Sequence, residues 1–297
     1  MPLPGPAGRF DYQSFDSSST LLWLAHMAAG EVLAFDVGSR RVVARVSGMA
    51  GATGVLAVPS LRRVFVSLSE KHQVAVLDAH TGRVLSRVEA GRFPDGLAYA
   101  PSAHKLFVSD EYGRQELVID AASSVPLPPI PMNGEVGNTQ YDPVSGRIWV
   151  AVQTRDQLAA IDPATDAVVA RVAVPGIERP HGLVIDAVHQ LAYVAGEGNG
   201  RLGVLDLRTG RLLETYPVGD EPDVLAIDVE RGRLFVASES GAIAAFQIRG
   251  ERLIPLATYR APHAHSVALD PRTHLLYVPL AQVNGRPLLR ILELEED

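Results

Sequence analysis

Two histidines, His263 and His265, stand one residue apart in RAPHAHSVALDP (260–271), just ahead of a short apolar run. The same phrase carries aspartate in FPDGLAYAP (93–101) and EPDVLAIDV (221–229), and histidine again in RPHGLVIDA (179–187). Imidazole and carboxylate are the side chains that ligate divalent cations and move protons near neutral pH. Side chains alternate along a strand, so His-x-His places both rings on one face, as a metal pair requires. Whether these residues meet depends on the elements that carry them.

Those elements follow from an internal repeat. When the phrases preceding LLWL, RVFV, KLFV, RIWV, LAYV, RLFV and LLYV are aligned, one position holds Asp11, Thr53, Asp95, Gly137, His181, Asp223 and His265. The steps are 42, 42, 42, 44, 42 and 42 residues. The aspartate ending the third apolar run (Asp36, Asp78, Asp120, Asp162, Asp206) keeps the same register through the same insertion. Each unit reads as four short strands, with hairpins such as DAHTGR (78–83) in which Asp bonds the turn amides and Gly takes positive φ. Four strands at a period of about 40–45 residues specify propeller blades. The expectation is an all-β, seven-bladed β-propeller spanning residues 9–297, with residues 1–8 as an N-terminal extension. The helix-like LLWLAHMAAGEVLAF (21–35) is overridden by this register. The chain stops after PLLRILEL, and the three prolines of MPLPGPAG make a poor ladder partner, so the seventh blade is expected to have three strands.

Composition narrows the chemistry. The 297 residues are 47% hydrophobic and 21% charged, an ordinary globular balance with a formal net charge of −7. No basic run occurs, so no nucleic-acid partner is expected. The absence of cysteine excludes disulfides, thiolate metal sites and cysteine nucleophiles. No stretch reaches the roughly 18–20 apolar residues of a membrane span, and MPLPGPAGRF lacks the n- and h-regions of a signal peptide. A monomer is expected.

The first strand of a blade starts, and the second ends, on one face. The second-strand position reads Met27, Ser69, Glu111, Gln153, Glu197, Glu239 and Ala281. A turn near residues 102–103 makes Asp95 and Glu111 cross-strand neighbours, and by repetition pairs His181 with Glu197, Asp223 with Glu239, and Asn138 with Gln153. Two carboxylates about 5 Å apart repel by roughly 3 kcal/mol at an effective dielectric of 20. A recessed face therefore requires a shared proton, an arginine or a bound cation. The bland alternative is that Asp95 and Asp223 simply bond their turns and the histidines pack.

The units LFVSDEYGRQELVIDA and LAYVAGEGNGRLGVLDLRTGRLLETYPVG resemble the repeat of the YVTN-type bacterial propellers, over essentially all of residues 9–297. That resemblance implies the seven-bladed fold and an exported, periplasmic location. The PDGLA and PHGL phrases are also similar to lactonase- and lyase-type propellers, which hold a divalent cation at the channel mouth. Three functions follow. The first is capture of a small molecule or metal at a polar mouth, with Asp11, Asp95, Glu111, Asn138 and Gln153 as ligand contacts. The second is a metal-assisted hydrolase or lyase: His181, His265, Glu197 and Asp223 would hold one divalent cation (Ca, Mg, Mn or Zn), with His263 or Glu239 as general base. The third is a protein-interaction scaffold.

Overall fold

A computed structural model describes residues 1–293; the last four residues of the expected domain lie outside the described residues. Seven antiparallel sheets stand in sequence order, six of four strands and the last of three. Blade 3 is representative: Pro94–Ala100, Lys105–Asp110, Gln115–Asp120 and Val125–Pro131. The first strand of each blade packs against the first strands of its neighbours, and the first strand of blade 1 meets that of blade 7, so the ring closes. Among the described residues no helix is long and apolar enough to cross a membrane.

The alternation seen in the sequence becomes inter-blade packing. Each second strand carries one aromatic residue at its centre (Trp23, Phe65, Phe107, Trp149, Tyr193, Phe235, Tyr277), at most 3% exposed and wedged between sheets. Outer strands alternate instead, as in Arg41–Ser47, because one face meets water. The helix-like stretch resolves into Leu21–His26 and Glu31–Asp36, separated by a single 3-10 turn. The hairpin aspartates act as expected: Asp78 Oδ1 accepts from the amides of His80 (3.1 Å) and Thr81 (2.8 Å), and Gly82 takes φ 70°.

Closure uses the proline-rich start. Met1 and Leu289 exchange both backbone hydrogen bonds (2.6 and 2.7 Å), and the Leu3 amide donates to Pro287 (2.9 Å). Pro2 lies opposite Leu288 between these bonded pairs, where its missing N–H costs nothing. The three-stranded blade thus gains a short edge partner, and register explains how prolines are tolerated there. Leu3 and Phe10, at 6% and 2% exposure, pack into the core between blades 7 and 1.

One core position breaks the pattern. The second residue of the third strand is Val32, Val74, Leu158, Leu202 and Ile243 in sister blades, all fully buried, but Glu116 in blade 3. Glu116 is itself fully buried, and neither of its oxygens has a hydrogen-bond partner among the described residues. Burial pushes its carboxyl well above the usual range, with the nearby Thr139 hydroxyl opposing and Asp110 adding to the rise. A raised folded value means that the ionisation cost of Glu116 is absent below its unfolded pKa and grows as pH rises toward the folded one, on top of the cost of burying its unbonded carboxyl. Replacing it with the leucine of blades 4 and 5 should therefore stabilise the protein by about 1–3 kcal/mol. Thermal melts of Glu116→Leu at pH 5, 7 and 9 should show a gain that grows with pH; no gain at pH 9 would refute this account.

Candidate functional site

The starts of the inner strands converge on a recess of about 210 Å³ at one end of the channel. The inner strands of blades 2 to 6 each have a register shift near their start, for example between Val108 and Asp110 opposite Pro94–Leu97 in blade 3. Such bulges re-aim a side chain. Here they accompany ring residues that meet the neighbouring blades rather than their own second strand. The strands approach closely: a Cβ at Gly54 or Gly182 would collide with the backbone carbonyl of Asp95 or Asp223 in the next blade. That is why glycine follows the ring residue in ATGV and PHGL.

Asp223 is the hub. Its Oδ2 lies 2.8 Å from His265 Nε2, and its Oδ1 lies 3.2 Å from His181 Nε2 and 3.4 Å from the Tyr12 hydroxyl. His265 also reaches Asp11 Oδ1 (3.3 Å) through Nε2 and Glu239 Oε1 (3.2 Å) through Nδ1. The cation that binds these acids together is Arg9. Its guanidinium lies 3.3 Å from Asp11, 2.9 Å from Glu239 and 3.9 Å from Asp223. Behind His181, the fully buried Gln153 lies with its Nε2 3.0 Å from Nδ1 and donates to Glu111 (3.2 Å), while Arg179 donates to its Oε1 (2.7 Å).

Charges distribute accordingly. Burial alone would raise Asp223, but His181 and His265 hold it well below the usual carboxylate range. Burial would depress His181, yet Asp223 and then Asp95 overcome it and lift the imidazole to about 10; His265 rises likewise, through Asp223 and Asp11. Asp95 goes the other way. Desolvation first, then the charge of Asp11, pushes it up to about 8. No hydrogen bond reaches its carboxylate among the described residues, and its nearest cationic atom is His181 Nε2 at 3.8 Å. Two contacts conflict with these charges. Nε2 of His265 is 2.7 Å from Arg9 Nη2, which an imidazolium cannot accept from. Nδ1 of His181 faces the amide nitrogen of Gln153. At His265 the surrounding carboxylates favour imidazolium, so Arg9, its side chain 43% exposed, is the least firmly held cation; at His181 the Gln153 amide is fixed by Glu111, the Val136 carbonyl and Arg179, and its contact opposes the charge that Asp223 and Asp95 favour.

Of the residues singled out from sequence, Asp11, Asp95, Glu111, His181, Glu197, Asp223 and Glu239 line the recess, with His265 against Arg9, Asp11 and Glu239. The expected His181–Glu197 pair is corrected: Glu197 lies near Arg179 (3.7 Å), and His181 pairs across blades with Asp223 and Asp95. Asn138 is buried over Gly96 with its Oδ1 accepting from the Thr139 amide (2.7 Å), and Gln153 meets His181 and Glu111 instead of it. His263 does not share the face of His265. It is exposed in a turn at φ 64°, and this left-handed backbone breaks the strand alternation that His-x-His presumes. Sequence reasoning missed Arg9, Phe93, Tyr112 and Arg179. A signal existed: two residues before the ring stand Arg9, Gly51, Phe93, Glu135, Arg179, Glu221 and His263, a rim with its own 42-residue step.

Fold and site together define a seven-bladed propeller with an acid–histidine mouth. A family profile described as outer membrane protein assembly factor BamB (PQQ_2) matches residues 28–278, and the chain belongs to that family. This bears out the propeller class that the YVTN resemblance implied, under a different family description. No curated protein matches the sequence. Similar solved structures include Kuenenia stuttgartiensis hydrazine synthase, at TM-score 0.83 and 14% identity over 99% of this chain and 97% of that one. A streptogramin B lyase structure matches at TM-score 0.79 and 11% identity, over 98% and 96%. The structure of U3-55K matches at 0.84 and 11%, over 99% and 98%. At such identities the likeness is one of fold.

Removing the hub charge leaves two buried imidazoles and Arg9 with one anion fewer. Asp223→Asn should cost about 3–5 kcal/mol, the range for breaking a buried ion pair from one side. Because the folded pKa of Asp223 is depressed, its contribution is present above the unfolded carboxylate value and lost as pH falls through the folded one. Urea unfolding should therefore show the largest deficit near pH 6 and a shrinking one toward pH 3. Equal stability of the two proteins at pH 6 would refute the hub role.

Proposed function

We propose that this chain is a binding propeller that captures a small positively charged species at its channel mouth. The observation that carries this reading is Asp95: 5% exposed, on the wall of the recess, with no hydrogen bond to its carboxylate among the described residues. Arg9 and the two histidines offset Asp11, Asp223 and Glu239 on the blade 6–7–1 side, whereas among the described residues Asp95 and Glu111 face the recess with His181 and the Gln153 amide as their polar neighbours. At about 210 Å³ the recess is below the ~300–1,000 Å³ of drug-sized ligand pockets, which favours an ion or a molecule of few heavy atoms.

A second reading is favoured by the donor set Asp11, Asp223 and His265, whose ligating atoms lie within 4.8 Å of one another. Two carboxylates and an imidazole suit a divalent cation. Arg9 would have to swing outward, and its exposure permits that. The hydrolase or lyase alternative needs a base in the recess; His263 stands on the exposed rim and Glu239 is tied to Arg9 and His265. The scaffold alternative draws support from the BamB family description, and for this chain it would use the blade surfaces rather than the recess.

Thermal shift and calorimetry with Ca²⁺, Mg²⁺, Mn²⁺, Zn²⁺ and small ammonium ions test the primary reading. At least one cation should raise the melting temperature of wild type, and Asp95→Asn should bind it at least about tenfold more weakly, the loss of one charge-assisted contact. Failure of every cation to bind at millimolar concentration, or unchanged binding by Asp95→Asn, would overturn it. About one equivalent of co-purified metal, lost in His265→Ala, would select the metal reading instead.

A further inference from the structure

The side of the recess left with uncompensated acid is also its aromatic side. Phe93 and Tyr112 have ring centroids 4.8 Å apart, tilted by 47°, and both line the recess beside Asp95, Glu111 and Met27. Tyr112 is 50% exposed, a large ring left at the rim of a polar cavity. Phe93 occupies the rim position that Arg9, Glu135 and Arg179 hold in blades 1, 4 and 5, so blade 3 presents an aromatic where sisters present charge.

A bare metal ion gains little from such a wall, because it needs several oxygen or nitrogen atoms converging at about 2.0–2.6 Å. Among the described residues the acids that cluster tightly enough are Asp11 and Asp223 with His265, not Asp95 and Glu111. A carbon-bearing ammonium is different. Its charge is spread over alkyl groups that are attracted to ring faces, and the weakly hydrated cation still gains from a nearby carboxylate. Carboxylates, two rings and a thioether around one small recess match that ligand better than they match a hydrated inorganic cation.

We propose that the blade 3 side of the mouth, Asp95 and Glu111 beneath Phe93 and Tyr112, is a subsite for a small alkylated ammonium group. The assignment rests on the cation-binding reading above and names its ligand class. Arg9 lines the same recess, with its ion-pair partners Asp11 and Glu239 on the blade 6–7–1 side.

The test compares choline with its uncharged isostere 3,3-dimethylbutan-1-ol, and both with CaCl₂, by calorimetry on the full chain. Choline should bind and the isostere should be at least about tenfold weaker, the ratio that marks a charge-dependent rather than a merely hydrophobic pocket. Tyr112→Ala, at an exposed position that does not endanger folding, should weaken choline severalfold, and Tyr112→Phe should restore it. Asp95→Asn should weaken choline at least about tenfold, the scale of one lost charge-assisted contact. Equal binding of the isostere, or choline binding indifferent to Tyr112→Ala, would overturn the ammonium assignment. Binding of Ca²⁺ without choline would overturn it while leaving the cation-binding reading intact; binding of neither would overturn the ammonium assignment, and failure of Mg²⁺, Mn²⁺, Zn²⁺ and small ammonium ions as well would overturn both.

Discussion

Seven inner strands crowd around one axis so closely that a ring residue of one blade lies within hydrogen-bonding distance of the next, and this convergence governs the rest of the molecule. Where the strands nearly touch, glycine is needed, as at Gly54 and Gly182. Where they end, ionisable side chains are brought together irrespective of their charge, and the set must come close to neutrality in a partly desolvated space. Asp223 achieves this for three cations at once. Among the described residues Asp95 has no such partner within hydrogen-bonding distance, so its carboxyl is the group that a ligand has most to offer.

The same convergence ties the ring's closure to its site. The segment that lends blade 7 an edge partner at Met1–Leu3 continues through Phe10, stacked on His26 at 4.0 Å, and delivers Arg9 and Asp11 to the mouth. Its course is fixed by contacts on both sides: the Gly8 amide donates to Ala281 in blade 7, and the Ala28 amide of blade 1 donates to Arg9. The main counter-cation of the acid cluster is thus held in place by the last piece of the fold. Arg9 stands two residues ahead of the first ring position, and the Glu239 carboxylate it pairs with lies 230 residues away.

Glu116, which departs from the repeat, and Asp95, which keeps its commonest ring residue, are contrasting acids of one blade. Both are buried carboxyls in blade 3 raised by desolvation. Glu116 is fully buried near Thr139 and Asp110, where a charge has no access to solvent. Asp95 faces a recess that opens to solvent. Burial alone does not separate a liability from a site; what the carboxyl points into does.

The fold was legible in the sequence because a 42-residue step is a property of order along the chain. Aromatic residues at Trp23, Phe65 and Phe107, turn aspartates at Asp78 and Asp120, and ring positions from Asp11 to His265 recur at intervals that any blade must keep. The ring also predicted which residues would gather at one end: Asp11, Asp95, His181, Asp223 and His265 do meet there. Their partners were not legible. A bulge of one residue at the start of the inner strand turns within-blade pairs into pairs between blades, and φ 64° at His263 turns a shared face into opposite ones. The placement of Arg9 among those acids depends on where a proline-rich segment runs once the ring has closed. Periodicity is written locally, one unit at a time; a charge network across an axis is a sum over seven units and the segment that joins their ends, and only the tertiary structure performs that sum.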